Sequence, residues 1–305
     1  MFEWSLAVGL HVDGTGDSFF RAWNLDPFTL TAVVSSWALY NRGLSASRGT
    51  RRKLHPWWRP LLFYMGLGAI LIALVSPVDH FADEYFFVHM IQHLLLLLVA
   101  PPLILLSAPM IPVLRGTPRT LRRSVIAPVL RHPVTRLTLR YLSLPLIAWP
   151  LYVSTLLAWH IPSAYDLALK NGTVHILEHV TFTIGALLFW WNIVDSVPLR
   201  GHLSYMARVP YIFLTTVPNF TLGAFLTFSS VAWYKEYDSD NLIWGMTTLE
   251  DQQFGALIMW IPGSLILLTC LLMVLGYAVV SEERNQQGKE ASMVKPGQIG
   301  EENAN

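Results

Sequence analysis

Long apolar stretches alternate along this chain with short polar ones, at lengths that fit membrane crossings better than a soluble core. Seven such stretches fall near 22–40, 60–77, 86–108, 140–158, 174–194, 209–231 and 254–280. At about 1.5 Å of rise per residue, roughly 20 residues cover the ~30 Å hydrocarbon layer. The first stretch rests on a short apolar run, Pro27 to Tyr40, with Trp23 as an interfacial anchor. The last is long enough to tilt or to project past the bilayer. The pattern predicts an all-α polytopic membrane protein of seven transmembrane helices. An N-terminal segment 1–21 precedes a helical domain 22–280, and a polar tail 281–305 is expected to be disordered. Pro101-Pro102, Pro145, Pro150, Pro218-Asn219 and Pro262-Gly263 predict interruptions or kinks in four of the helices.

Composition agrees. The chain has 305 residues, 53% hydrophobic and 13% charged, against roughly 25% charged in a soluble domain. The distribution of charge sets an orientation. The segments 41–59, 109–140, 195–208 and the tail after 280 hold 18 of the 21 Lys and Arg residues, leaving Arg21, Lys170 and Lys235 for the other side. The positive-inside rule makes the basic side cytoplasmic, with the N-terminus outside and the C-terminus inside. The start, Met1-Phe-Glu-Trp, lacks the basic n-region of a cleavable signal. The arginines of 109–140 stand among Leu, Val and Ile, as in an amphipathic segment lying on anionic lipid. Cys270 is the sole cysteine, which excludes an internal disulfide and a thiolate-pair metal site. No phosphate-binding loop, nucleotide fingerprint, hydrolase elbow or nucleic-acid motif is present. No energy-coupling module is expected.

Histidines change the picture. His89 and His93 share one helix face in the third stretch, and His175 and His179 share one in the fifth. Spacing i,i+4 separates such imidazoles by about 6 Å along the axis. Both helices enter from the outer side in the predicted topology, and the fourth leaves there at Trp159-His160. Five histidines, His89, His93, His160, His175 and His179, thus fall at one depth. Ionisable groups inside apolar spans are costly, so their default reading is functional. His80 and His11 belong to outer segments and read as exposed loop residues.

Imidazole suits copper, zinc, iron and nickel, and thioethers shift preference toward Cu(I). Met90 and Met259 are candidate auxiliary ligands, and Glu178 is a candidate acceptor that fixes an imidazole tautomer. Glu236, Asp238, Asp240, Glu250 and Asp251 make the outer segment 233–251 acidic, able to concentrate cations near the cluster. Trp233, Tyr234, Tyr237 and Trp244 resemble an interfacial aromatic belt. Three other readings stay open: core histidines hydrogen-bonded to neighbours, a proton relay through Glu178, and haem ligation in a quinol oxidoreductase subunit. Two stacked haems would need histidines roughly 13–14 residues apart on one helix. The spacing of four favours a small ion.

Several blocks resemble the seven-span CtaG-type cytochrome c oxidase assembly factors of bacterial plasma membranes. They are His89-Met-Ile-Gln-His93 with Ala100-Pro-Pro102, Trp159-His-Ile-Pro-Ser-Ala-Tyr165, His175-Ile-Leu-Glu-His179 with Phe189-Trp-Trp191, and Leu249-Glu-Asp-Gln-Gln253 with Ile258-Met-Trp260. The resemblance covers roughly residues 55–280. It implies a non-enzymatic role in building a haem–copper oxidase by copper delivery. An oxidase subunit and an extracytoplasmic copper donor would then be its partners. Related copper-resistance membrane proteins are also similar, which keeps resistance or import as an alternative.

Overall fold

The computed structural model describes residues 22–46, 55–196, 201–237 and 245–294, and the regular elements among them are all helices. His11 and Trp244 lie outside the described residues. Each predicted stretch carries a helix: α1 Pro27–Ser45, α2 Trp58–Leu74, α3 Phe86–Leu106, α4 Pro145–Trp159, α5 Gly172–Trp191, α6 Tyr205–Thr227 and α7 Thr248–Val294. Four of them, α3, α5, α6 and the part of α7 from Thr248 to Gln287, are long and apolar enough to cross a membrane. A fifth crossing results if α4 is joined to the helix Pro133–Leu142, from which it is bent by 72°. α2 is apolar but only 17 residues long, and α1 has a more mixed sequence. The described chain therefore offers four or five crossings by length and composition, where seven are expected from the sequence.

The prolines act more locally than expected. Pro218 and Pro262 sit inside α6 and α7 without ending them. Pro145 opens α4, where its missing N–H costs nothing. In α3 the effect is larger. Its first part, Phe86–Leu94, is α-helical, Leu95–Val99 forms a π turn, and Ala100–Leu106 returns to α. Pro101 has no N–H for the Leu97 carbonyl, its partner in a regular helix. The Trp190 indole N–H of α5 takes that carbonyl at 2.8 Å. A side chain thus replaces the lost backbone bond and ties α5 to α3. Beyond residue 280 the described chain stays helical. α7 runs unbroken to Val294, because Glu, Arg and Gln after Ser281 are good helix formers.

Packing is polar inside and apolar outside in places, the reverse of a soluble protein. Ile176, Leu177, Val180 and Ile184 of α5 and Leu265, Leu268 and Leu272 of α7 are exposed, while Glu178, His89 and Gln92 are fully buried. That arrangement suits lipid, in which backbone and side-chain polar groups must find partners within the protein. One core cluster stacks Tyr152, Phe189 and Tyr211, with centroids 4.7 and 5.2 Å apart. A second gathers Phe86, Met90, Tyr165, Leu226, Tyr234, Tyr237 and Met259. The helix Met110–Gly116 lies against α1 at backbone contact. A Cβ on Gly43 would meet the Pro112 carbonyl, and one on Gly116 the Leu39 carbonyl, so only glycine permits the approach.

Asp251 sets the position of α3. It is fully buried rather than part of an exposed acidic loop. Its carboxylate accepts the N–H of Phe86 at 2.8 Å and of Phe87 at 3.1 Å. These are the first free donors of α3, where an anion also meets the positive end of the helix dipole. Asp251 is therefore the cap that α7 lends to α3.

Candidate metal centre

α3, α4 and α5 bring the five predicted histidines into one buried cluster. Ring centroids are 4.3 Å apart for His89 and His93, 4.3 Å for His175 and His179, 5.4 Å for His89 and His175, and 6.0 Å for His93 and His160. Ligand atoms of His89, His175, Glu178 and His179 all lie within 4.8 Å of one another. His175 stands at the rim, with its side chain 15% exposed, and its Nδ1 is 3.9 Å from the exposed carboxylate of Asp83. His93 and His160 lie on the inner side, beside Phe182.

Counting donors fixes the tautomers. The Tyr237 hydroxyl donates to the Ala82 carbonyl at 2.9 Å, which uses its one hydrogen. Tyr165 Oη and His89 Nδ1, both 3.0 Å away, must then be donors to Tyr237. His89 Nε2 is left as a lone pair facing the cluster, 2.8 Å from His93 Nε2. The Nδ1–H of His160 donates to the Leu156 carbonyl at 2.7 Å, leaving Nε2 as a lone pair. His93 Nδ1, His160 Nε2, His175 Nε2, His179 Nε2 and both Glu178 oxygens are buried without a hydrogen-bond partner. Native proteins satisfy nearly all buried polar atoms, and so dense a group of exceptions calls for a cause. Convergent imidazole lone pairs beside a carboxylate fit a cation. Glu178 sits 3.4 Å from His93 Nε2 and 3.9 Å from His89 Nε2, inside the cluster rather than behind it.

The other candidates are placed as follows. Met90 is fully buried in the aromatic cluster with Phe86 and Tyr165. Met259 faces a small cavity that His93 and His160 also line. His80, expected in a loop, lies in the short helix Pro77–Ala82 with its side chain exposed, 3.6 Å from Glu84. Tyr234 and Tyr237, expected at the membrane interface, are instead buried: Tyr234 donates to the His160 carbonyl at 3.0 Å, and Tyr237 orients His89. Spacing alone did not single out these tyrosines, nor Gln92, whose amide donates to Asp79 at 2.7 Å and to the Ala73 carbonyl at 2.8 Å. Burial pushes the Asp79 carboxyl above the usual aspartate range, against the opposing pull of the Asn24 hydrogen bond. One sequence signal existed: Gln92 adjoins His93, and a polar residue in an apolar span is seldom idle.

A bundle of apolar helices around a histidine–glutamate cluster defines a helical membrane protein with a candidate cation site. The family model for the cytochrome c oxidase caa3 assembly factor, Caa3_CtaG, matches residues 38–279, and the chain belongs to that family. It is 27% identical over 277 residues to an uncharacterized protein of Mycobacterium bovis, covering 88% of this chain and 40% of that protein. It is 25% identical over 259 residues to an uncharacterized protein of Mycobacterium leprae, covering 79% of this chain and 37% of that one. The chain thus spans about two fifths of the length of these relatives. No solved structure matches it.

Proposed function

We propose that this protein is a plasma-membrane assembly factor for a haem–copper terminal oxidase, which accepts Cu(I) as cargo and hands it to an apo-oxidase subunit. In this reading the chain crosses the membrane seven times, N-terminus outside, and the histidine cluster opens to the outer face. The observation that carries the proposal is the set of buried, unpartnered Nε2 atoms of His175 and His179 and the unpartnered carboxylate of Glu178, with His89 Nε2, bonded only to His93, among them. Charge favours a monovalent ion. Three neutral imidazoles, one carboxylate and Cu(I) sum to zero, whereas a divalent ion would leave a net charge in a low-dielectric interior, which is costly. His175, at the rim beside Asp83, is the first nitrogen that an arriving ion meets. Movement between imidazoles requires only ligand exchange, with no change of oxidation state and no energy source.

The test is removal of the protein. Membranes lacking it should contain oxidase subunits but show lower oxidase activity and less oxidase copper when copper is scarce. Added copper should restore part of the activity by mass action. A His175→Ala protein should accumulate normally and fail to complement. Full oxidase activity without the protein at limiting copper would overturn the proposal and move copper import or resistance ahead.

A further inference from the structure

A second set of donors lies one turn further along α3, on the far side of His93 from the outer cluster. Here a small cavity is lined by His93, His160, Met259, Asn219 and Tyr152 among leucines. About 20 Å3 of it is open to the centre of a water-sized sphere, just above the roughly 10–15 Å3 that one such particle needs. His93 is 2% exposed, His160 5% and Met259 7%, so all three side chains are buried within the bundle.

Two nitrogens of these residues have no partner, His93 Nδ1 and His160 Nε2. His160 Nε2 is a lone pair because its Nδ1–H is held by the Leu156 carbonyl. His93 Nδ1 is one as well. His89 offers only a lone pair at Nε2, so the 2.8 Å contact places the hydrogen on His93 Nε2. The third donor is the thioether of Met259, soft and weakly hydrated. Asn219 is spent on the Met259 carbonyl at 3.4 Å and adds no strong donor. Two imidazole lone pairs and a thioether in a chamber large enough for one small particle match the ligand preference of Cu(I), which accepts low coordination; they suit Mg poorly and fall short of the four ligands of a closed Zn site.

We infer that His93, His160 and Met259 form a second, inner Cu(I) site, distinct from the outer set of His89, His175, Glu178 and His179. It rests on the outer-cluster reading only in that the outer set supplies the ion. The two sites need not compete for His93. When His89 Nε2 is engaged by an outer ion, the His93 Nε2–H has Glu178 Oε1 at 3.4 Å as an acceptor. His93 then serves the inner site through Nδ1 while hydrogen-bonded to a ligand of the outer one. The arrangement is a two-step path in which an ion leaves an imidazole–carboxylate site for an imidazole–thioether site.

The experiment uses the full chain, purified in detergent and loaded with Cu(I) under reductant against a chromophoric Cu(I) chelator, with copper-edge X-ray absorption as the second readout. Wild type should retain two equivalents and show sulfur in the copper shell. Met259→Leu, which keeps size and apolar character, should retain one equivalent with only nitrogen and oxygen neighbours. His160→Leu should give the same result. A single equivalent in wild type with no sulfur scattering, or sulfur scattering unchanged in Met259→Leu, overturns the inner site and leaves a water as the occupant of the chamber. No copper bound to wild type at all would overturn both the inner site and the outer-cluster reading, whereas one equivalent without sulfur removes the inner site alone, which separates the two failures.

Discussion

Glu178→Gln is the sharpest probe of the outer cluster, because it alters charge while preserving shape. In the ion-free protein Glu178 is fully buried, and neither oxygen has a hydrogen-bond partner. Its oxygens stand 3.4 and 3.9 Å from two imidazole nitrogens. A monovalent ion held among those nitrogens would lie at about 4 Å from the carboxylate, where a unit charge pair at an effective dielectric of 20 gains ~4 kcal/mol. Part of that is offset by desolvation of the carboxylate, and glutamine keeps one amide oxygen. The net loss should therefore resemble that of other carboxylates near a metal, about 10- to 100-fold in affinity, or ~1.4 to 2.7 kcal/mol. Competitive titration of the purified protein with a Cu(I) chelator measures it. Thermal unfolding supplies the control. Without copper the variant should unfold no earlier than wild type, since an unpartnered buried carboxylate stabilises nothing. With copper its rise in unfolding temperature should shrink. Unchanged copper affinity together with an earlier unfolding temperature without copper would refute the reasoning and make Glu178 a structural residue.

Tyr237→Phe removes the acceptor that holds the His89 tautomer. A several-fold loss of copper affinity is expected, in keeping with about 1 kcal/mol for a neutral hydrogen bond, and proton NMR of the histidine ring nitrogens should report the altered tautomer. Affinity equal to wild type with an altered tautomer would show that the His89 tautomer does not govern copper binding. For topology, reporter fusions at residue 125 should read cytoplasmic and fusions at 240 extracytoplasmic. The opposite reading at either position would defeat the seven-crossing proposal.

What the sequence makes legible here is what depends on near neighbours. The i,i+4 pairs His89/His93 and His175/His179 need only helical geometry to be seen, and apolar run length locates every one of α1 to α7. Distant contacts stay hidden. Asp251 sits among acidic residues in the sequence, but its partners, Phe86 and Phe87, are 165 and 164 residues away. Tyr237 has the composition of an interfacial aromatic, yet its contact with His89 spans 148 residues. Met90 and Met259 look alike on paper and join the same aromatic cluster, but of the two Met259 lines the cavity. Counting crossings is harder than locating helices. A helix of 17 residues such as α2, or one bent by 72° before α4, meets a length rule only in part.

The π turn of α3 has a geometric consequence beyond the lost bond at Pro101. Each α-helical residue advances the side-chain direction by 100°, and a π turn closes its hydrogen-bonded ring with one residue more than an α turn. Side chains before Leu95 and after Val99 are therefore out of phase, and no single wheel projection describes the whole helix. The first half, with His89 and His93, packs against α7, while the half with Pro101 and Pro102 packs against α2. One continuous backbone thus addresses two neighbours in different directions. The phase offset between them, pinned by the Trp190 indole, lets the histidines face inward without dictating which way the rest of the helix must face.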